Sequence, residues 1–181
     1  MRKFLSGNEA FAEGVRLARP QGISAYPITP QTTVVEALAS MVEDGSLACE
    51  YLHVESEHTA LSAAIGASAT GARTFTATSS QGLLYMAECL TYASGGRFPI
   101  VMMNANRALA LPWNIYGDQR DSEQCQSADD EFVGHRLLLV LHLSERGIVG
   151  QLANRGKVGL QAVEVDGMGA VSYTHLRAHE T

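Results

Sequence analysis

A chain of 181 residues, 46% hydrophobic and 18% charged, has room for one domain with a real core. Its formal net charge of −6 and the lack of any basic block argue against nucleic acid or an anionic membrane as the main partner. No apolar run approaches the roughly 20 residues of a membrane span, and the charged start Met-Arg-Lys is not followed by a signal-peptide core, so a cytoplasmic protein is expected.

From Asn8 to about Asn106, helical and strand patterns alternate. Asn8 reads as the N-cap of a helix through about Arg19, with Phe11, Val15 and Ala18 on one face. GISAYP, residues 22–27, is short and apolar and reads as a strand. Thr29-Pro30 then supplies a cap and a first-turn proline. The helix they open carries Val34, Val35, Leu38, Met41 and Val42 at helical spacing and ends at Asp44-Gly45. YLHVE, residues 51–55, reads as a second strand. The alanine-rich stretch from about Glu57 to Thr70 suits a tightly packed helix, and TFTAT, residues 74–78, a third strand. SSQG, residues 79–82, turns into a helix running to about Tyr92, and PIVMMN, residues 99–104, is a fourth strand. This is the pattern of an α/β fold, a parallel sheet flanked by helices. Ligands gather there where strands end and helices begin.

After Ser122 the character changes. Residues 123–131 are polar and irregular. His135 to Leu143 is either a buried strand or a helix segment, Glu145 to Asn154 suits a helix, and Gly159 to Val165 a strand. The last eleven residues, VSYTHLRAHET, follow no amphipathic pattern. The three cysteines, Cys49, Cys89 and Cys125, form no CxxC pair, so neither a zinc site nor an iron–sulfur cluster is encoded; reduced thiols are expected.

Four strand exits carry chemistry. In Tyr26-Pro27-Ile28-Thr29-Pro30, two prolines rigidify a turn whose following helix start suits a carboxylate, though the Thr29 hydroxyl serves equally as a simple cap. In His53-Val54-Glu55-Ser56-Glu57, a first-turn Glu either compensates the helix dipole or, if buried, faces a cofactor nitrogen. Thr76 to Gly82 is a Ser/Gly-rich turn that is neither a GxSxG elbow nor a P-loop, with a serine cap as the plain alternative. Arg107, after Asn104-Ala105-Asn106, suits bidentate carboxylate recognition or an ordinary place on the surface. Asp166-Gly167-Met168-Gly169 reads as a turn.

Taken together and in this order, GNEAFAEGVRLA, AYPITPQT, HVESEHTA, FTATSSQGLLYMAE, RFPIVMMNANRALA and NIYGDQRDS resemble the thiamine diphosphate pyrimidine-binding domain of the 2-oxoacid:ferredoxin oxidoreductase α subunits. The resemblance covers roughly residues 7–122. It implies a truncated thiamine diphosphate-binding fold and a cofactor shared with a partner domain. Glu57 matches the glutamate that faces the pyrimidine N1′, and Pro27 and Ile28 belong to the turn that lines the cofactor. Thr29 and Arg107 match the contacts to the substrate carboxylate. The implied reaction converts pyruvate, coenzyme A and oxidised ferredoxin into acetyl-CoA, CO2 and reduced ferredoxin; the 2-oxoglutarate and branched-chain 2-oxoacid enzymes differ in substrate alone. Magnesium and iron–sulfur clusters would sit on partner chains, a diphosphate-binding β subunit and a ferredoxin-like subunit. The matched stretch NIYGDQRDS leans towards pyruvate.

The resemblance stops after Ser122. Residues 1–122 are therefore expected to form an incomplete pyrimidine-binding domain. Residues 123–181 are expected to be an unassigned tail that resembles a frameshift or translated adaptor and packs poorly on the sheet. A catalytically silent α/β module is the competing reading, and this segment alone is expected to be inactive.

Overall fold

The structure, a computed structural model, describes residues 5–110, 113–122 and 124, together with four strand backbones beyond them. Helix α1 (Gly7–Ala18) is followed by β1 (Gly22–Ala25), α2 (Thr32–Glu43), β2 (Glu50–His53), α3 (Glu57–Ala69) and β3 (Thr74–Thr78). Then come α4 (Gln81–Tyr85), α5 (Ala87–Gly95), β4 (Ile100–Ala105), β5 (Leu138–Ser144), β6 (Gly147–Asn154), β7 (Lys157–Val165) and β8 (Val171–Tyr173).

The strand order is β2-β1-β3-β4-β5-β6-β7-β8. Strands β1 to β5 pair in parallel, and β5 to β8 pair antiparallel. On one face, Ile23, Ala25, Phe75, Ala77, Met103 and Ala105 pack against Phe11 and Val15 of α1 and Val34 and Leu38 of α2. On the other, Ile100 and Met102 pack against Ala60, Leu61 and Ala64 of α3 and Leu83, Cys89 and Leu90 beyond it. β1 thus lies between β2 and β3: α2 carries the chain from β1 to β2 on one flank, and α3 carries it back across β1 to β3 on the other. This is a topological switch point, and the crevice outside the carboxyl ends of β1 and β3 is where such sheets bind ligands.

Several local expectations change. Ser6, not Asn8, caps α1, through a capping box with Glu9. Asn8 Nδ2 instead donates to the Pro30 carbonyl at 2.9 Å and to Thr33 Oγ1 at 2.6 Å, tying α1 to the start of α2. The single helix expected after Gly82 breaks at the buried Met86 into α4 and α5, which both pack against α3. Residues 147–154, expected as helix, form strand β6; their mixed apolar pattern fits either, and pairing with β5 and β7 decides it. The expectation that residues 123–181 pack poorly concerns side chains outside the described residues. Among the described residues, no helix is long and apolar enough to cross a membrane.

Candidate functional site

The turn after β1 is built differently from the Thr29 cap expected. Helix α2 begins at Thr32, with Gln31 preceding it, and Thr29 and Pro30 lie exposed in the turn. The reason is Gln31, whose side chain is fully buried. Its Nε2 donates to the carbonyls of Tyr26 at 2.6 Å and Ala77 at 3.3 Å, bridging the ends of β1 and β3. Pro27 is exposed and Ile28 half-buried, and the Ile28 carbonyl accepts the Gln31 amide at 2.9 Å.

The turn after β3 is strained. Ser80 adopts φ 52, ψ −126, a left-handed φ that a non-glycine residue adopts only when its surroundings impose it. The expected serine cap is absent, since the Ser80 side chain makes no capping bond. Its hydroxyl instead reaches Gln81 Oε1 at 2.6 Å and the Ala108 carbonyl at 2.7 Å, while Ser79 Oγ donates to the Ala105 carbonyl at 2.6 Å.

Glu57 opens α3 and is half-buried, behind the Ser56 cap whose side chain accepts from the Thr59 amide. Its side chain lies over Gly82. A Cβ at Gly82 would stand 2.8 Å from Glu57 Cγ and 2.9 Å from Glu57 Oε1, and would also collide with Thr78 Oγ1. Glycine is therefore required for the approach of the carboxylate, not for its backbone angles. Among the described residues no hydrogen-bond donor reaches the Glu57 carboxylate.

Arg107 is not a surface residue: it is 7% exposed. Its Nη1 donates to the Thr29 carbonyl at 2.7 Å, Nη2 to Gln81 Oε1 at 3.1 Å and Nε to the Ala108 carbonyl at 3.4 Å. All three acceptors are neutral, and among the described residues no carboxylate pairs with the guanidinium. A buried cation without a counter-charge is costly unless an anion arrives to pair with it. Thr29, Gln81 and Arg107, from the exits of β1, β3 and β4, thus meet in one place. Gln81 and Gly82, neighbours in the chain, contact Arg107 and Glu57 respectively, so both ionic groups converge on one turn.

Sequence patterns did not single out the group that holds these turns. Asp121 is fully buried. Its Oδ2 accepts from the Ser80 amide at 3.1 Å, Asn104 Nδ2 at 3.1 Å and the Arg107 amide at 3.3 Å. Its Oδ1 accepts from Asn106 Nδ2 at 3.2 Å and the Ser122 amide at 2.7 Å. A carboxylate saturated with donors in this way is charge-assisted at every contact. Its one sequence signal is its place in the stretch NIYGDQRDS.

The sequence matches the family described as "Pyruvate flavodoxin/ferredoxin oxidoreductase, thiamine diP-bdg" over residues 13–145, and the chain belongs to this thiamine diphosphate-binding family. It is 62% identical over 120 residues to the pyruvate synthase subunit PorA of Methanocaldococcus jannaschii, covering 66% of this chain and 31% of that one. It is 55% identical over 122 residues to the ketoisovalerate oxidoreductase subunit VorA of Pyrococcus furiosus, covering 67% of this chain and 31% of that one. The fold is similar to the 2-oxoglutarate:ferredoxin oxidoreductase of Magnetococcus marinus, solved with 2-oxoglutarate, coenzyme A and succinyl-CoA bound. That match has a TM-score of 0.54 and 32% identity, over 57% of this chain and 18% of that one. The chain spans 31% of the length of these curated relatives.

Proposed function

We propose that this chain is part of the α subunit of a pyruvate:ferredoxin oxidoreductase and supplies the cofactor-activating acid and the substrate carboxylate site. The observation that carries the reading is the buried Arg107 guanidinium, bonded among the described residues to neutral groups alone at the switch-point crevice. That arrangement suits a carboxylate, which Arg107 would hold from one side and the Thr29 hydroxyl from the exposed turn beside it. Holding the 2-oxoacid by its carboxylate fixes the neighbouring carbonyl carbon for reaction.

The residues also fit thiamine diphosphate. The Glu57 carboxylate has no donor from the described residues, and an acceptor of this kind suits a protonated pyrimidine N1′. Glu57 would hold that proton, and Pro27 and Ile28 would line the ring. The cofactor supplies the electron sink for decarboxylation. A diphosphate-binding β subunit with magnesium, a ferredoxin-like cluster subunit, coenzyme A and ferredoxin would complete the reaction.

The similarity to VorA of Pyrococcus furiosus favours a second substrate reading, a branched-chain 2-oxoacid. The test is to combine this chain with diphosphate-domain and cluster-bearing partners and to measure viologen reduction with pyruvate and with 2-oxoisovalerate. Pyruvate-dependent reduction that Glu57→Ala abolishes supports the reading. No reduction with either acid, in wild type and Glu57→Ala alike, overturns it in favour of a silent module.

A further inference from the structure

We propose that Gln81 is a third binding residue for the substrate carboxylate, beside Arg107 and Thr29, donating from its amide nitrogen next to the Arg107 guanidinium. The inference rests on Arg107 as the carboxylate site and deepens that reading.

The argument begins with the orientation of the amide. Oxygen and nitrogen of a glutamine side chain are distinguished by their hydrogen-bond partners. A guanidinium carries five N–H donors and no acceptor, so the atom of Gln81 that meets Arg107 Nη2 at 3.1 Å must be the oxygen. The Ser80 hydroxyl reaches the same oxygen at 2.6 Å. The Ala108 carbonyl that competes for the Ser80 proton is also served by Arg107 Nε, which leaves the hydroxyl free to point at Gln81. With Oε1 engaged twice, Nε2 is the atom of the amide left to donate. Among the described residues no acceptor takes it, and Gln81 is half-buried.

Among the described residues Arg107 uses three of its N–H groups on Ala108, Thr29 and Gln81, so two remain uncommitted. A carboxylate offers about four lone-pair positions, more than those two donors and the Thr29 hydroxyl together satisfy. The Nε2 group lies on the same amide that Arg107 grips and adds two more donors. Uncommitted donors beside a buried cation, with no acceptor to match them, select an anion with several acceptor sites. The backbone holds the arrangement: Ser80 in its left-handed conformation delivers Gln81, and Asp121 clamps the Ser80 amide.

The test uses the assembled enzyme and oxamate, an unreactive 2-oxoacid analogue, titrated by calorimetry. Gln81→Ala is expected to weaken oxamate about tenfold, the value of one hydrogen bond to a charged acceptor. Gln81→Glu keeps the oxygen that Arg107 and Ser80 need but replaces the donor with a second acceptor. Its oxamate affinity is expected to fall further at neutral pH and to recover as the pH drops towards about 4–5, where the new carboxyl protonates. A wild-type profile flat over that range would show that the recovery belongs to position 81. Gln81→Met, of similar volume, replaces the alanine variant if the latter does not assemble. Wild-type affinity in the Gln81 variants, with a flat pH profile and binding lost in Arg107→Ala, overturns the inference and leaves the Arg107 site standing. Unchanged binding in Arg107→Ala overturns both.

Discussion

Arg107 Nη1 donates to the main-chain carbonyl of Thr29 at 2.7 Å, across 78 positions of sequence. Two side chains singled out for the same ligand thus touch through the backbone of one of them. The guanidinium fixes the turn that presents the Thr29 hydroxyl, and that turn in exchange fixes the guanidinium.

Arg107→Lys separates charge from geometry. A lysine ammonium is a point charge on a flexible stem and does not span the Thr29 carbonyl and Gln81 Oε1 as a planar fork does. We expect the KM for the 2-oxoacid to rise at least about tenfold, with a smaller change in kcat. An unchanged KM would mean that the cation alone suffices.

Asp121→Asn tests the hub. The substitution puts an NH2 group against N–H donors from Ser80, Arg107 or Ser122. The expected loss is roughly 2–3 kcal/mol, the scale of a broken buried hydrogen bond to a charged group, read from the urea midpoint. Oxamate affinity should fall with it, because Ser80 and Arg107 lose their common anchor. Full stability would show that the clamp is dispensable.

Gly82→Ala adds one methyl group where Glu57 and Thr78 already stand. Overpacking of this kind costs about 1–3 kcal/mol. The readout that matters is thiamine diphosphate affinity in the assembled enzyme, which should drop as Glu57 is pushed from the turn. Loss of stability with unaltered cofactor affinity would separate Glu57 from the cofactor.

The alkaline limb of stability has identifiable groups. Burial, reinforced by the neighbouring Glu50 charge, pushes the Cys49 thiol up to about 11, and burial pushes the Tyr51 hydroxyl up to about 12. The unfolded chain releases these protons nearer to about 8.5 and 10. Their contribution is therefore complete below the unfolded values and is lost as pH rises through the folded ones. Urea midpoints should decline from about pH 8.5 upward, and Cys49→Ala should make the first part of that decline shallower. An identical profile in the variant would remove Cys49 from the account.

Hydrogen exchange addresses the far part of the chain. We expect β5, whose Leu138 registers with Ile100 of β4, to exchange faster than β4. Protection in β5 equal to that in β4 would count against a foreign tail.

The sheet was legible because its signals are local. TFTAT at β3 matches residue for residue, and the alanine-rich α3 starts where expected. The first two parallel crossovers followed from alternation alone. What failed was local chemistry overruled by distant partners. Thr-Pro reads as a helix start, yet Gln31 buries its amide between the Tyr26 and Ala77 carbonyls and delays the helix to Thr32. Glu57 and Arg107 were visible as residue types at strand exits, but the need for Gly82 beneath one and the neutral partners around the other were not. Asp121 left no pattern, because periodicity reports which face is apolar and says nothing of a carboxylate that gathers amides from three separate segments.

The bond from Asn8 to the Pro30 carbonyl makes the first helix a brace for the turn between β1 and α2. Trimming the N-terminus past Asn8, or fusing a bulky tag directly before Ser6, would remove no residue of the crevice. It would still slacken the loop that carries Thr29, and the cost would surface as weaker recognition of the acid rather than as a damaged fold.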